Sequence, residues 1–438
     1  MTSRIGIFGS YDTASQGDLA ILWGILTQIQ RRFPQAQFTV FALDPSAVTQ
    51  AIHGRFDAIQ VVPARPGTVH SAAIRVSRGG AKPNPSRARK LRSQLASLPW
   101  LYDVILVLRY LRFWQRLREY LRDLDLLLIG GGGLLVDLYA RWPIYPLLYT
   151  WLARATNTRV MFYAVGVGPI HTTRGRWYFR WAVQHSQGIT VRDRYSYEQA
   201  RQILGIAPPR LVQAADPAFV LKPVRPTPRE ERNRPRIGVS TVAIYRPPTW
   251  PKADPVRYQT YIQRMATLVA QIANRYQAHV ILFSTNCPQD LLAAEDIQRT
   301  ARPLLQRGTL DIFPTCNLDK LFTALYPNLD LVLGTRLHSL ILALIHHIPI
   351  VALAYQEKVM ALGEELELQE ITFPLEPLTD PNAPSSDTTQ EAILAAVETV
   401  WKQRDVYHVR VRAGVQRMRQ AAERSVTMLA KILATPRA

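Results

Sequence analysis

Short apolar runs alternate along the chain with longer segments of helical period, a pattern that predicts parallel sheets covered by helices on both faces. The first series places strands at Arg4–Gly9, Phe38–Ala42, Ala58–Val62, Asp125–Ile129, Arg159–Val165 and Gly188–Val191, with helices over Asp18–Phe33 and Tyr195–Leu204. Lys222–Arg236, KPVRPTPREERNRPR, carries proline and charge without an apolar period and reads as a linker. A second series follows, with strands near Arg236–Val242, His279–Ser284, Thr309–Phe313, Asp330–Gly334 and Ile350–Ala354. From Thr388 to Leu433 the period is helical, as expected of a tail that packs back across the first unit. The fold class expected is α/β: two Rossmann-like domains facing a cleft, over residues 1–222 and 237–385, joined by a linker at 223–236 and followed by a helical tail at 386–438.

The most apolar stretch, Leu337–Tyr355, is interrupted by His346, His347 and Pro349. It reads as a buried helix, a break and a buried strand, too short and too divided for a membrane span. The start, MTSRIGIFG, runs directly into a strand pattern, so no signal peptide is expected.

With 438 residues, 47% hydrophobic and 20% charged, the chain is ordinary globular material, which excludes a disordered or fibrous protein. Its net charge of +20 does change the picture, because it predicts anionic partners. Only eight of the 53 basic residues are lysine, and arginine favours bidentate contact with phosphate or carboxylate. An insertion at 63–122 holds thirteen Lys/Arg against Asp103 and Glu119. Its second half, Leu98–Leu124, interleaves basic residues with Trp100, Tyr102, Tyr110, Phe113, Trp114 and Tyr120. That pattern suits an anionic lipid surface, and equally a core helix with a solvated basic face. Cys287 and Cys316 are the only cysteines, too few for a disulfide framework and consistent with a reducing compartment.

The candidate chemistry lies where strands end. Gly130–Gly133 follow an apolar strand and allow positive φ and close backbone approach, the requirement for a phosphate or sugar cradle, or simply for a tight turn. The run fits neither the dinucleotide nor the P-loop fingerprint. In Ser15-Gln16-Gly17-Asp18, Asp18 is expected to cap the following helix; the alternative is a loop that touches the acceptor. In Gly334-Thr335-Arg336-Leu337-His338, Thr335 is expected to cap a helix that carries Arg336 and His338 in its first turn. Free backbone N–H groups, a positive dipole end and a guanidinium then serve an anionic ligand. Arg192-Asp193 opens another helix, Asp216-Pro217 is held extended or in a turn, and Lys358 is placed to reach the same anion. The histidines are scattered and His346-His347 lacks a spaced partner, so no metal site is expected. No G-x-S-x-G elbow supports serine chemistry.

In order, SQGDLAIL, LLLIGGGGLLVD (126–137), YAVGVGPI (163–170), ITVRD (189–193), AADPAFVL (214–221), GTRLHSLILAL (334–344) and YQEK (355–358) resemble the motifs of polysaccharide pyruvyl transferases. The resemblance spans about residues 4–362 and departs from the family at Ser15, where Asn is common, and in the basic insertion and tail. It implies a GT-B-like fold and transfer of a pyruvyl group from phosphoenolpyruvate (PEP), as co-substrate and without a cofactor, to sugar hydroxyls as a cyclic ketal. It implies His338 as catalytic acid and Arg192, Arg336, Leu337 and Lys358 as the PEP-binding set. Gly17, Asp18, Gly131, Gly132, Gly133, Asp137, Gly166 and Gly168 fall on the acceptor-side loops. The acceptor implied is a cell-surface polysaccharide precursor or lipid-linked saccharide; a cytoplasmic location is expected, with the basic insertion holding the protein peripherally at the inner membrane face. The competing readings are a nucleotide-sugar glycosyltransferase and a basic non-enzyme that binds membrane or nucleic acid. The basic segment lacks a recognisable nucleic-acid module, so nucleic acid is not the expected partner.

Overall fold

A computed structural model of the chain describes residues 3–12, 14–65, 104–105, 107–108, 111–137, 142–224, 234–250, 252–383 and 386–436. The first sheet has seven parallel strands: β1 (Arg4–Phe8), β2 (Gln37–Ala42), β3 (Ile59–Pro63), β4 (Leu126–Gly130), β5 (Arg159–Val165), β6 (Gly188–Val191) and β7 (Leu211–Gln213), in the order β3-β2-β1-β4-β5-β6-β7. The second has six: β8 (Arg236–Ser240), β9 (His279–Phe283), β10 (Thr309–Ile312), β11 (Leu331–Gly334), β12 (Ile350–Ala354) and β13 (Thr372–Pro374), in the order β10-β9-β8-β11-β12-β13. β4, Leu-Leu-Leu-Ile-Gly, is buried at every position, as a parallel strand covered on both faces must be. Both sheets change winding direction between their first and fourth strands, with registers such as Ile5↔Leu126 and Leu331↔Ile237. Open α/β sheets bind ligands beyond the strand ends at that point.

Helices of at least eight residues follow most strands: α1 (Gln16–Arg32), α2 (Pro45–Ile52), α3 (Leu111–Arg122), α4 (Ile144–Ala155), α5 (Thr173–Gln184), α6 (Arg194–Leu204), α7 (Pro255–Tyr276), α8 (Gln289–Ala301), α9 (Leu337–Ile345) and α10 (Glu357–Glu365). α1 is buried along most of its length because it packs on the first sheet, on the Pro217–Val220 turn and on α9. A side chain at Gly24 would overlap the Pro217 carbonyl, so a glycine lets helix and turn meet. One apolar core runs from Ile5 and Trp23 through Phe219 to Ile237, Leu333 and Leu340, joining the two sheets. A second core, with Phe8, Tyr149 and Phe179, fills the other face of the first sheet.

The tail is two helices, α11 (Ser386–Lys402) and α12 (Arg404–Ala434), where one continuous period was expected. α12 is a strap of about 46 Å at 1.5 Å per residue. At one end His408 Nδ1 meets the His347 carbonyl of the second unit (2.7 Å); at the other Ser425 donates to Thr190 Oγ1 (2.9 Å) and Arg159 donates to the Ile432 carbonyl (2.6 Å). Among the described residues no helix is long and apolar enough to cross a membrane.

Of the basic insertion, residues 66–103, 106 and 109–110 lie outside the described residues, as do 225–233 of the expected linker. α3 buries Trp114, Leu117 and Leu121 and exposes Arg112, Arg116, Arg118 and Arg122. The cysteines differ from expectation: Cys287 and Cys316, Cα atoms 6.1 Å apart, form a disulfide. They follow β9 and β10, and the parallel pairing of those strands brings the two loops together.

Candidate active site

The strand β11 delivers Gly334, Thr335 and Arg336 to the switch point of the second sheet. Thr335 does not cap α9. Its N–H donates to Ser240 Oγ (2.9 Å) and its hydroxyl to the Ser240 carbonyl (3.0 Å), because β8 is the neighbouring strand and its serine competes for both groups. Arg336 is the cap residue, with extended backbone, and Ser339 turns its hydroxyl back to the Arg336 carbonyl (2.6 Å). The guanidinium forks onto Asp290, Nε to Oδ2 at 2.7 Å and Nη2 to Oδ1 at 2.8 Å, while Nη1 donates to the Tyr355 hydroxyl (2.9 Å). Asp290 is fully buried and also accepts from the Ala243 N–H (2.9 Å). This planar, doubly hydrogen-bonded pair fixes the guanidinium plane.

His338 lies in the first turn of α9 and faces the first unit. Its Nε2 stands 3.3 Å from Asp216 Oδ2, within ion-pair range but without hydrogen-bond alignment, so it is a buried nitrogen with no hydrogen-bond partner. The same carboxylate oxygen is 3.4 Å from Arg192 Nη1, and Arg192 Nε is 3.4 Å from Asp193 Oδ2. Burial alone would raise the Asp216 carboxyl, but His338, Arg192 and the Ala218 N–H together hold it below the ordinary carboxylate range. Arg192 is buried and packs flat against Gly166, where a Cβ would come within 3.0 Å of Nη2. Gly17 does the same for the imidazole: a Cβ there would overlap the His338 ring, so this glycine lets α1 lie directly on the histidine.

Lys358 stands in the first turn of α10, half-buried, and makes no ion pair among the described residues. Burial, reinforced by the charges of Arg192 and Arg336 and partly offset by Asp18 and Asp193, pushes its ammonium down to about 7. Two helical turns on, Glu365 accepts from the Arg194 N–H (2.9 Å) and from Gln213 (3.4 Å), and burial pushes its carboxyl up to about 7. Arg192, Asp193, Asp216, Leu337, Lys358 and Glu365 line one cavity of about 20 Å³, room for a single water. Arg192 and Lys358 line this cavity with Leu337 in its wall; His338 reaches it through Asp216, and Arg336 lies outside the lining but close enough for its charge to act on Lys358.

The loop residues take specific places around that junction. Ser15, not Asp18, caps α1, accepting from the Asp18 N–H; Asp18 instead receives the Ser10 hydroxyl (3.1 Å) and lies over Gly132. Gly131 and Gly132 have φ of 79° and 72°, and Gly131 makes room for Ile21. Gly133 borders Val136 and has no close neighbour, and Gly168, with φ 84°, sits over Tyr195 and Gln199. Asp137 is turned to the next loop, accepting from the N–H groups of His171 (2.9 Å) and Thr172 (2.6 Å) and from the Thr172 hydroxyl. Those bonds outweigh its burial and hold it below the usual carboxylate range. Asp290, Tyr355 and Glu365 were not anticipated as site residues. Asp290 in Cys-Pro-Gln-Asp reads as an ordinary first-turn acid, and only the fold shows it beneath Arg336.

Two parallel doubly wound sheets joined at their switch points, with cations from both units gathered at the junction, define a GT-B-like protein. Three solved structures share this fold: a UDP-N-acetylglucosamine 2-epimerase from Listeria monocytogenes described as putative (TM-score 0.60, 11% identity, covering 100% of this chain and 98% of that one), the UDP-GlcNAc 2-epimerase of Neisseria meningitidis (0.55, 10%, 98% and 100%) and a glycosyltransferase from Rickettsia africae (0.56, 9%, 99% and 100%). The chain belongs to the polysaccharide pyruvyl transferase family, whose model matches residues 17–357. A relative is the amylovoran biosynthesis protein AmsJ of Erwinia amylovora, 26% identical over an alignment of 285 positions that covers 61% of this chain and 66% of that protein.

Gly17→Ala tests the contact between units. Overpacking a tight site costs about 1–3 kcal/mol, against a gain of about 1 kcal/mol for alanine in a helix. The expected result is a small net loss of stability by denaturant unfolding, with a loss of activity well beyond it because the His338 ring is displaced.

Proposed function

We propose that this protein transfers the pyruvyl group of PEP to two hydroxyls of a saccharide, forming a pyruvate ketal on a cell-surface polysaccharide precursor or lipid-linked saccharide. The observation that carries this reading is the convergence of Arg192, Lys358 and, through Asp216, His338 on one small cavity between the two sheets, with Arg336 close enough to act on Lys358, in a chain of the pyruvyl transferase family. PEP has a carboxylate and a phosphate, and such a cluster of guanidinium and ammonium groups matches both.

The cations have different parts. Arg336 is held by short bonds and offers a fixed field, whereas Arg192 makes only 3.4 Å contacts that a ligand oxyanion readily replaces. Lys358 supplies a charge without an established partner. His338 gives a proton from Nε2 to the methylene carbon of PEP, leaving an oxocarbenium-like centre at C2. One sugar hydroxyl attacks C2 and loses its proton; phosphate leaves with the C–O electron pair; a second hydroxyl closes the ketal and releases its proton. Asp216 positions the imidazole and forms an ion pair with it when it is protonated. The cavity of about 20 Å³ is too small for PEP as it stands, so binding needs its lining to move.

PEP affinity falls as pH rises. Below about 7 Lys358 is charged in the free protein; above it the lysine is neutral and PEP must draw in a proton, so affinity drops up to about tenfold per pH unit. Calorimetry in buffers of different ionisation enthalpy reads that proton uptake, and Lys358→Met removes it. A pH-independent affinity between 7 and 9 contradicts this role.

Thermal shift separates the readings. PEP at 100 times its dissociation constant stabilises the fold by about 2.7 kcal/mol. Stabilisation by UDP- or GDP-sugars in its place would assign the chain to nucleotide-sugar transfer.

A further inference from the structure

Outside the site, the most unusual surface is the outer side of α3, α4 and α5. These helices lie side by side on the first sheet, with α4 packed between α3 and α5, and they bury Trp114, Tyr149 and Phe179 beneath them. Their opposite side carries two tryptophans that a folded chain normally hides, Trp151 at 54% and Trp177 at 58% exposure. Seven of the twelve large exposed apolar side chains among the described residues fall in or just before these helices, with Leu108, Leu111 and Tyr120 among them. The charge of the same surface is one-sided. The three helices hold eight arginines against the single acid Glu119, and Arg112, Arg116, Arg118, Arg154, Arg176 and Arg180 are exposed.

Exposed tryptophan beside arginine, with almost no acid, is the composition of a bilayer interface: indoles settle at headgroup depth and guanidiniums on lipid phosphates. We propose that the outer face of α3, α4 and α5 docks on an anionic lipid bilayer, with Trp151 and Trp177 as its anchors. The surface extends the basic part of the 63–122 insertion onto two helices outside it. The orientation also serves the reading of a lipid-linked acceptor, on which this inference rests for its purpose though not for its test. α4 and α5 start from the loops that carry Gly131–Gly133 and Gly166–Gly168, and these starts are tied together through Asp137 and Thr172 and through Trp142, whose indole donates to the Leu134 carbonyl (2.7 Å). A bilayer under the helices brings that loop edge close to the headgroup of a lipid carrying the sugar.

The test is sedimentation of the full chain with phosphatidylcholine vesicles, with and without phosphatidylglycerol. Binding is expected only with the anionic lipid, with a blue shift of tryptophan emission and a fall with salt. Trp151→Ser with Trp177→Ser weakens it about tenfold or more, and Arg154→Gln with Arg176→Gln about 25-fold, fivefold for each arginine. All four positions are exposed, so melting temperature and PEP-dependent phosphate release on a soluble saccharide stay unchanged. Vesicle binding needs no PEP and no acceptor, so it is decided separately from the pyruvyl transfer reading. No binding to anionic vesicles, or binding that ignores both pairs of substitutions, overturns the proposal. So does loss of vesicle and DNA binding in parallel through the arginines alone, with the tryptophans indifferent, which identifies a general polyanion surface.

Discussion

Asp290→Ala is expected to lower folding stability by about 3–5 kcal/mol, the penalty for stranding a buried charge whose partner has been removed. Arg336 is the group stranded: its side chain is only 19% exposed and both nitrogens on one edge of its fork are bonded to Asp290. The substitution also leaves the Ala243 N–H without its acceptor. Replacing both partners, Asp290→Leu with Arg336→Met, is expected to recover much of that stability, since a well-packed apolar pair often matches a buried ion pair. Denaturant midpoints at constant m-value measure both. PEP binding should be absent from both variants, which separates folding from function. A loss below about 1 kcal/mol for the single substitution would mean that Arg336 is held by Tyr355 and solvent rather than by Asp290.

His338→Ala is expected to reduce turnover by about 10²–10⁴-fold, the usual contribution of a positioned general acid, while PEP affinity changes little. The imidazole is buried between Gly17 and Asp216, with Nε2 facing the carboxylate oxygen that Arg192 also approaches. Asp216→Asn keeps the shape and removes the charge, so it should lower kcat with a smaller effect on KM and alter the pH–rate profile, as a positioning residue does. Rapid chemical quench in a single turnover distinguishes the two. If His338→Ala binds PEP and turns over at the original rate, the proton comes from elsewhere.

Much of this fold is legible in the apolar runs. β1, β4, β5, β8, β9, β11 and β12 are central strands whose residues must be apolar on both faces, and each is visible within a residue or two. The edges are not. β13, Thr-Phe-Pro, has three residues and a proline, too short for a period and held only by pairing with β12. At the site, GTRLH and ITVRD mark strand ends that deliver arginine and histidine, and the fold brings them together as their position predicts. What the sequence does not reveal is which partner each polar group selects. Ser15 and Asp18 are both good caps; Asp18 is drawn off by Ser10, a residue seven positions upstream of Gly17. Thr335 is a good cap until Ser240 arrives from a strand 95 residues away. The Cys287–Cys316 pairing likewise depends on β9 lying next to β10.

The most direct measurement is incubation of the full chain with PEP and a panel of lipid-linked and model saccharides, following phosphate release and acceptor mass together. The account predicts one phosphate released for each acceptor that gains the mass of a pyruvate ketal, with both signals from His338→Ala slowed together by about 10²–10⁴-fold. Sugar transfer from a nucleotide donor with PEP left intact would contradict it.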